Sequence, residues 1–585
     1  MIVQAGKNIL SFLDRFRIRG INALLLMAAS VGIVTGLGAI GFTALIRYFN
    51  RLFFGMTDQL LSTALGGAGF HYWTPIIPML GGLLVGPIVF HFAKEAKGHG
   101  VPEVMNAVAR LGGIIRPRVA LAKSVASAIC IGSGGSAGRE GPIVQIGSAL
   151  GSTVAQFFGL STNNVRLLVG CGAAAGISAI FNAPIAGVFF SLEVILGDFA
   201  ISTFSPVLIS SVLASVLTRS ILGNHPAFEV PPYELVSAWE ILMYVGMGAV
   251  LGALAVLFTK TLDYFEDAFE SMKLPSIVKP ALGGLLLGIV AFLYPQVLAD
   301  GYETIRLTLH NNMALALLIP LIFLKIVATS LTLGSGSSGG IFAPSLFTGA
   351  MAGGAFGFVA QALFPGVTAD PGAYALVGMA GLVAGTTHAP ITALMIIFEM
   401  TGDYHIILPL MVTVAVSSLV SRGIFAHSIY TAKLIKRGID LRSGRDANIL
   451  NSLKVTEVMS PISAQVSTST PVDDFLEMLE DANCPAVVVV DKDGAFRGVA
   501  SLGDIRSILS YRETGGVIVA GDIVSVETPS LLVTDSLETA LNKFSLTGSQ
   551  LLPVLDSEAF RPVGLLLRNS VLEFYNRRLV DQIRR

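Results

Sequence analysis

The feature that most limits what this chain can become is a series of apolar stretches starting near Ile21, Trp73, Val119, Val165, Ile201, Ile241, Val278, Met313, Tyr374 and Ile391. Crossing a bilayer takes about 20 predominantly apolar residues in a helix. Many of these stretches are interrupted by Gly, Pro or Ser. Broken spans are tolerated in lipid only where the freed backbone groups line a protein-walled cavity, as in transporters. Charged residues make up 13% of the 585 residues, against about 25% in soluble globular proteins. The shortage is local: about 10% of the first 440 residues are charged and about 23% of the rest. We therefore expect an all-α, multi-pass membrane domain over 1–440, a linker over 441–450 and a soluble α/β tail over 451–585.

The formal net charge of -1 leaves no broad basic field for nucleic acid. Cys130, Cys171 and Cys484 are too scattered for a disulfide framework or a zinc site. Lys7, Arg15, Arg17 and Arg19 precede the first span, and Lys433, Lys436 and Arg437 follow the last. The excess of cations near both ends predicts that both termini and the tail are cytoplasmic. With no small-residue cleavage site before the spans, the N-terminus reads as part of the protein rather than a signal peptide.

An internal repeat runs through the membrane part. Ser136-Ala137-Gly138-Arg139-Glu140-Gly141-Pro142 resembles Ser338-Gly339-Gly340-Ile341-Phe342-Ala343-Pro344. Phe181-Asn182-Ala183-Pro184-Ile185 resembles Thr387-His388-Ala389-Pro390-Ile391, and apolar runs ending near Glu193 and Glu399 follow. Each glycine-rich loop ends in a proline suited to a helix's first turn. A helix start carries four unpaired N–H donors and about half a positive charge. Two such starts facing one another form an anion site without a formal cation. Matched broken helices point to a binding site between the halves. Close packing through small residues is the competing reading of one such loop. Spacing alone leaves open whether the repeats are inverted.

Taken together, Gly98-His99-Gly100-Val101-Pro102, Gly138–Pro142, Gly340–Pro344 and Tyr430 resemble the motifs of the CLC family of chloride channels and chloride/proton exchangers, in family order. The resemblance implies inverted repeats and a homodimer with one pore per subunit. It also implies an anion held by His99, Gly100, Arg139, Gly141, Ile341, Phe342 and Tyr430, and a gate at Glu140. A carboxylate beside an anion site is a tethered competitor, and protonation removes its charge. A structural ion pair with Arg139 or Lys123 is the alternative for Glu140.

Two positions depart from the family pattern. His99 stands where serine or proline is usual. Its ring either donates to the anion, adding pH sensitivity, or turns towards the vestibule and leaves binding to backbone amides. Val194, in Phe190-Ser191-Leu192-Glu193-Val194, replaces the acidic residue that passes protons in many exchangers. Glu193 is adjacent, but neighbours on a helix point about 100° apart. The valine at 194 favours a gated, uncoupled chloride pathway, with coupled exchange as the alternative, while His99 leaves the preferred anion open. Lys123 and Arg139 either raise the potential for anions or snorkel to water. Glu399 reads as structural, and Cys130 and Cys171 as small core residues.

In the tail, Ala486–Val490 with its Asp491–Gly494 turn recurs as Leu551–Asp556, and Gly498–Ser501 as Gly564–Leu567. The pattern resembles a tandem pair of CBS domains, over 451–512 and 513–585. The resemblance implies an adenine nucleotide held through Gly498, Ser501 and Asp504, a site lost in the second copy, where Leu567 and Ser570 stand. A helix cap formed by Ser501 and Asp504 is the alternative. No cofactor is required for chloride movement. A CBS-regulated magnesium transporter would need carboxylate ligands that the membrane part offers sparsely. No metal-ligand spacing or nucleophile motif supports an enzyme. The expected location is a prokaryotic inner membrane.

Overall fold

Prolines at first turns and glycines at ends cut the apolar stretches into separate helices. The computed structural model describes residues 21–55, 75–223, 235–402, 404–439, 453–462, 464–471, 486–501, 519–524, 529–556 and 560–584, with residues 228, 230, 231, 233, 450 and 474. The chain forms two compact units, Met1–Ile439 and Asp440–Arg585.

In the first unit, the first half holds α1 (Ile21–Asn50), α2 (Ile76–His91), α3 (Val101–Arg110), α4 (Pro117–Gly132), α5 (Glu140–Phe157), α6 (Thr162–Phe181), α7 (Pro184–Phe190) and α8 (Ile201–Leu222). A π-turn, Ser191–Leu196, extends α7. The second half repeats the order: α9 (Glu240–Ser271), α10 (Lys279–Leu293), α11 (Tyr302–Leu309), α12 (Leu315–Gly334), α13 (Phe342–Leu363), α14 (Pro371–Thr387), α15 (Pro390–Thr401) and α16 (Ile407–Ile424). Helix α17 (Thr431–Lys436) follows. Among the described residues, seven helices are long and apolar enough to cross a membrane.

The halves are inverted copies, and one contact shows it. Gly138 N donates to Gly340 O at 2.8 Å, and Gly340 N donates to Gly138 O at 2.6 Å. The bridge is antiparallel and joins the same position of the two repeats. Equivalent residues exchange such bonds only across a two-fold axis that reverses chain direction. Helices α7 and α15 obey the same axis. Glu193 accepts from Thr392 N at 2.8 Å, Thr392 Oγ1 at 2.7 Å and Ile391 N at 3.3 Å, capping α15. Glu399 accepts from Ala186 N at 2.6 Å and Ile185 N at 3.0 Å, capping α7. Small residues bring neighbouring helices close. A Cβ on Gly172 of α6 would overlap the Gly147 carbonyl of α5, and a Cβ on Gly378 of α14 would overlap that of Gly349 in α13.

In the tail, β2 (Gln465–Ser467), β3 (Ala486–Val490) and β4 (Phe496–Ser501) form one sheet. The second contains β5 (Leu531–Leu532), β6 (Leu551–Leu555) and β7 (Pro562–Leu567), with β1 (Ser460–Pro461) added on β7. In each, a parallel pair precedes an antiparallel one, and the register slips at Val489/Val490 and again at Val554/Leu555. The expected duplication is therefore present in the sheets. Helices α18 (Ala520–Ile523), α19 (Leu537–Thr547) and α20 (Arg568–Arg584) complete this unit. Amides of Ala495 and Asp493, with Arg497, hold the Asp491 carboxyl below its usual range and close the β3–β4 turn. The expected boundary at 512/513, Cys484, Asp504 and nearly all of the 441–450 linker lie outside the described residues.

Candidate functional site

The first site element is the loop before α3. Gly98 and Gly100 take φ of 75° and 83°, left-handed values that glycine adopts without strain. Lys123 of α4 donates to Ala96 O at 3.0 Å and Gly98 O at 2.7 Å. Ser338 Oγ donates to Ala96 O at 2.8 Å, and Gly98 N to Ser337 O at 3.0 Å. The loop of one repeat is thus held by residues of both. Lys123 is fully buried and does not snorkel to water. Its ammonium satisfies carbonyls that would otherwise be bare in a low-dielectric interior. The second repeat has the same device, unnoticed in the sequence: Lys325 donates to Val297 O and Ala299 O, both at 2.9 Å.

Three helix starts converge with Tyr430. Gly100 caps α3, Arg139 caps α5 and Ile341 caps α13. A Cβ on Gly141 would overlap the His99 carbonyl and lie 3.0 Å from Gly340 Cα. His99, Glu140, Ile341, Phe342 and Tyr430 are all at most 3% exposed. The His99 ring lies 5.8 Å from that of Tyr430, so it is not turned out to water. Phe342 packs 5.5 Å from Phe181 at the end of α6. The sequence-derived residues around Glu140 are therefore brought together.

Glu140 is held by one neighbour absent from the sequence reading. Tyr302, the first residue of α11, donates its hydroxyl to Glu140 Oε1 at 2.8 Å. The other oxygen, Oε2, is buried with no hydrogen-bond partner, as are His99 Nδ1 and Arg139 Nε. Arg139 places its guanidinium 5.2 Å over the Tyr302 ring. Among the described residues, no ion pair joins Glu140 to Arg139 or Lys123. An aromatic residue opening a short amphipathic helix carries no motif; only its place in the repeat, opposite the loop before α3, distinguishes it.

Val194 and Glu193 lie apart, on the π-turn that packs against α3 and α6. Glu193 is committed to the start of α15, as described above. Gly498 pairs opposite Val489 on β4, and Ser501 ends that strand.

This arrangement supplies bare helix-start amides, aligned dipoles and unpartnered side-chain groups in a buried space, which suits a dehydrated anion. The sequence profile described as voltage gated chloride channel matches residues 81–422, which include all three loops. The chain belongs to this CLC family. A CBS domain profile matches residues 455–511. The CLC chain is 35% identical to a putative chloride channel protein ClcB-like of Ralstonia nicotianae over 71% of its own length and 98% of the relative's. It is 30% identical to chloride channel protein CLC-e of Arabidopsis thaliana, over 93% and 86%. An H(+)/Cl(-) exchange transporter ClcA of Vibrio campbellii is 33% identical, over 70% and 89%. Among solved structures, a slow cyanobacterial Cl-/H+ antiporter superposes with a TM-score of 0.65 at 28% identity, over 71% of this chain and 97% of that one. A eukaryotic CLC transporter gives 0.62 at 20% identity over 94% and 97%, a likeness of fold. The protein is a multi-pass integral membrane protein of the CLC family with a CBS-containing tail.

Proposed function

We propose that the protein carries chloride across a membrane through one pathway in each subunit of a homodimer, gated by protonation of Glu140 and not stoichiometrically coupled to proton return. The observation that carries this reading is the setting of Glu140. Its carboxylate lies at the start of α5 with one oxygen tethered to Tyr302 and the other unpartnered. Ionised, it competes with an anion for the helix-start donors; protonated, it loses that advantage and releases the path. His99, Gly100, Gly141, Ile341, Phe342 and Tyr430 would surround the anion, with Arg139 at the approach. Val194 cannot titrate, and Glu193 is engaged as a cap. Both termini and the tail are assigned to the cytoplasm.

Coupled chloride/proton exchange is the second reading, favoured by relatives that carry that name. Proteoliposomes loaded with chloride, with chloride and protons followed together, separate the two. We expect chloride efflux that no outward chloride gradient converts into uphill proton uptake. Uphill proton movement would establish exchange instead. Glu140→Gln should give flux independent of pH, and retained pH dependence would remove Glu140 from the gate.

The tail is assigned an adenine nucleotide at Gly498, Ser501 and Asp504, where a hydroxyl and a carboxylate suit ribose hydroxyls. ATP should raise the melting midpoint of the full-length protein, and Asp504→Asn should cancel the rise. A midpoint unmoved by ATP rejects the assignment.

A further inference from the structure

On the Arg139 side of the gate lies a cavity of about 280 Å³ that shares Arg139 with the proposed chloride pathway and has a further set of charged residues outside that pathway. Its lining includes Arg47 and Asn50 from the end of α1, Arg51 from the π-helical turn that follows it, Arg139, and Asp300 from the loop before α11. Three arginines and one aspartate thus share its lining, with Arg47 and Arg51 solvent-exposed. Arg47 and Arg51 make no ion pair among the described residues, and Arg139 Nε is buried without a hydrogen-bond partner. A second cavity, about 370 Å³, has Lys97, Lys279 and Glu270 in its lining and no arginine. Lysines present point charges. Arginines present planar forks that match the oxygens of an oxyanion. Ile341 stands at the place of Arg139 in the other repeat, so the arginine at the gate is not a by-product of the repeat.

Asp300 selects among oxyanions. An ionised carboxylate only accepts hydrogen bonds. Asp300 Oδ1 takes one from Tyr302 N at 3.4 Å, which leaves the second oxygen available to a ligand that brings a proton. Hydrogen phosphate has an O–H to donate there; sulfate of the same charge has none and meets only repulsion.

We infer that this mouth is a regulatory site for a protonated oxyanion of the hydrogen phosphate class. An ion held by Arg47, Arg51 and Arg139 against Asp300 stands beside Tyr302 and Glu140, where chloride must pass. Its occupancy slows chloride movement. The inference rests on the chloride-transport reading above, because the blocked route is that reading's route.

The test uses proteoliposomes at pH 7.5, with phosphate or sulfate at matched ionic strength on both faces, and the melting midpoint of the purified protein in each salt. Phosphate should slow chloride efflux several-fold and raise the midpoint, while sulfate does neither. Arg47→Gln with Arg51→Gln should abolish both effects and keep the efflux rate measured without phosphate. Asp300→Asn should let sulfate act as phosphate does. Equal effects of the two ions on the unmodified protein, or a double variant still slowed by phosphate, would overturn the site. If no chloride efflux is seen in any salt, the transport reading fails, and the melting shifts alone still decide the site.

Discussion

Glu193 offers the sharpest separation between a structural acid and a proton carrier. Its carboxylate takes three hydrogen bonds at the start of α15, two from backbone amides and one from the Thr392 hydroxyl. A hydrogen bond to a charged partner contributes about 1.5–3 kcal/mol. A negative charge at a helix N-terminus adds about 0.3–1 kcal/mol. Glu193→Gln keeps one acceptor oxygen and loses the charge, so a cost of about 1–3 kcal/mol is expected. Glu193→Ala leaves two amides and a hydroxyl without the acceptor and should cost about 2–5 kcal/mol. The readouts are the melting midpoint in detergent and the pH profile of chloride flux in liposomes. The structural reading requires a lower midpoint with an unchanged pH profile. A Glu193→Gln protein that melts like the parent but loses its pH dependence would refute it, and would make Glu193 the missing internal proton residue beside Val194.

Tyr302→Phe removes the hydroxyl that tethers the Glu140 carboxylate at 2.8 Å. The loss of a bond to an ionised acceptor, worth about 1.5–3 kcal/mol, should raise chloride flux at neutral pH by about tenfold or more, and unchanged flux would show that the tether does not restrain the gate. Lys325→Met leaves Val297 O and Ala299 O without their donor, a cost of about 2–6 kcal/mol. Lys123→Met should cost less, because Ala96 O keeps Ser338 Oγ and Gly98 O keeps Gly339 N. Melting midpoints in the opposite order would contradict this account of the two buried lysines.

Where a local rule governed the backbone, the sequence was legible. Expected starts near Val119, Val278 and Ile391 fall within three residues of the ends of α4, α10 and α15 that follow from their prolines. Hydropathy passed over α5 and α13, whose opening turns lie in the glycine-rich loops, and over α16, which follows α15 after a short turn. The loops themselves were readable because glycine, proline and a lone acid in an apolar setting each carry a physical meaning. Tyr302, Lys325 and the caps made by Glu193 and Glu399 were not, since their roles depend on which distant carbonyl or amide the fold delivers. The duplicated sheets of the tail followed from valine-rich runs and turn residues, whereas nucleotide contacts depend on a residue, Asp504, beyond the described strand.

The paired bonds between Gly138 and Gly340 bear on how two halves of a duplicated chain can diverge. A methyl group on Gly340 would sit 2.8 Å from Gly141 N, and one on Gly138 would meet Ala343 N at 3.1 Å. The first half therefore excludes a side chain at Gly340, and the second half crowds one at Gly138, where Glu140 of the same half already stands in the way. A duplicated ancestor whose copies met in this way could vary one surface, one mouth or one acid at a time, but at the seam every change had to be acceptable to both copies at once.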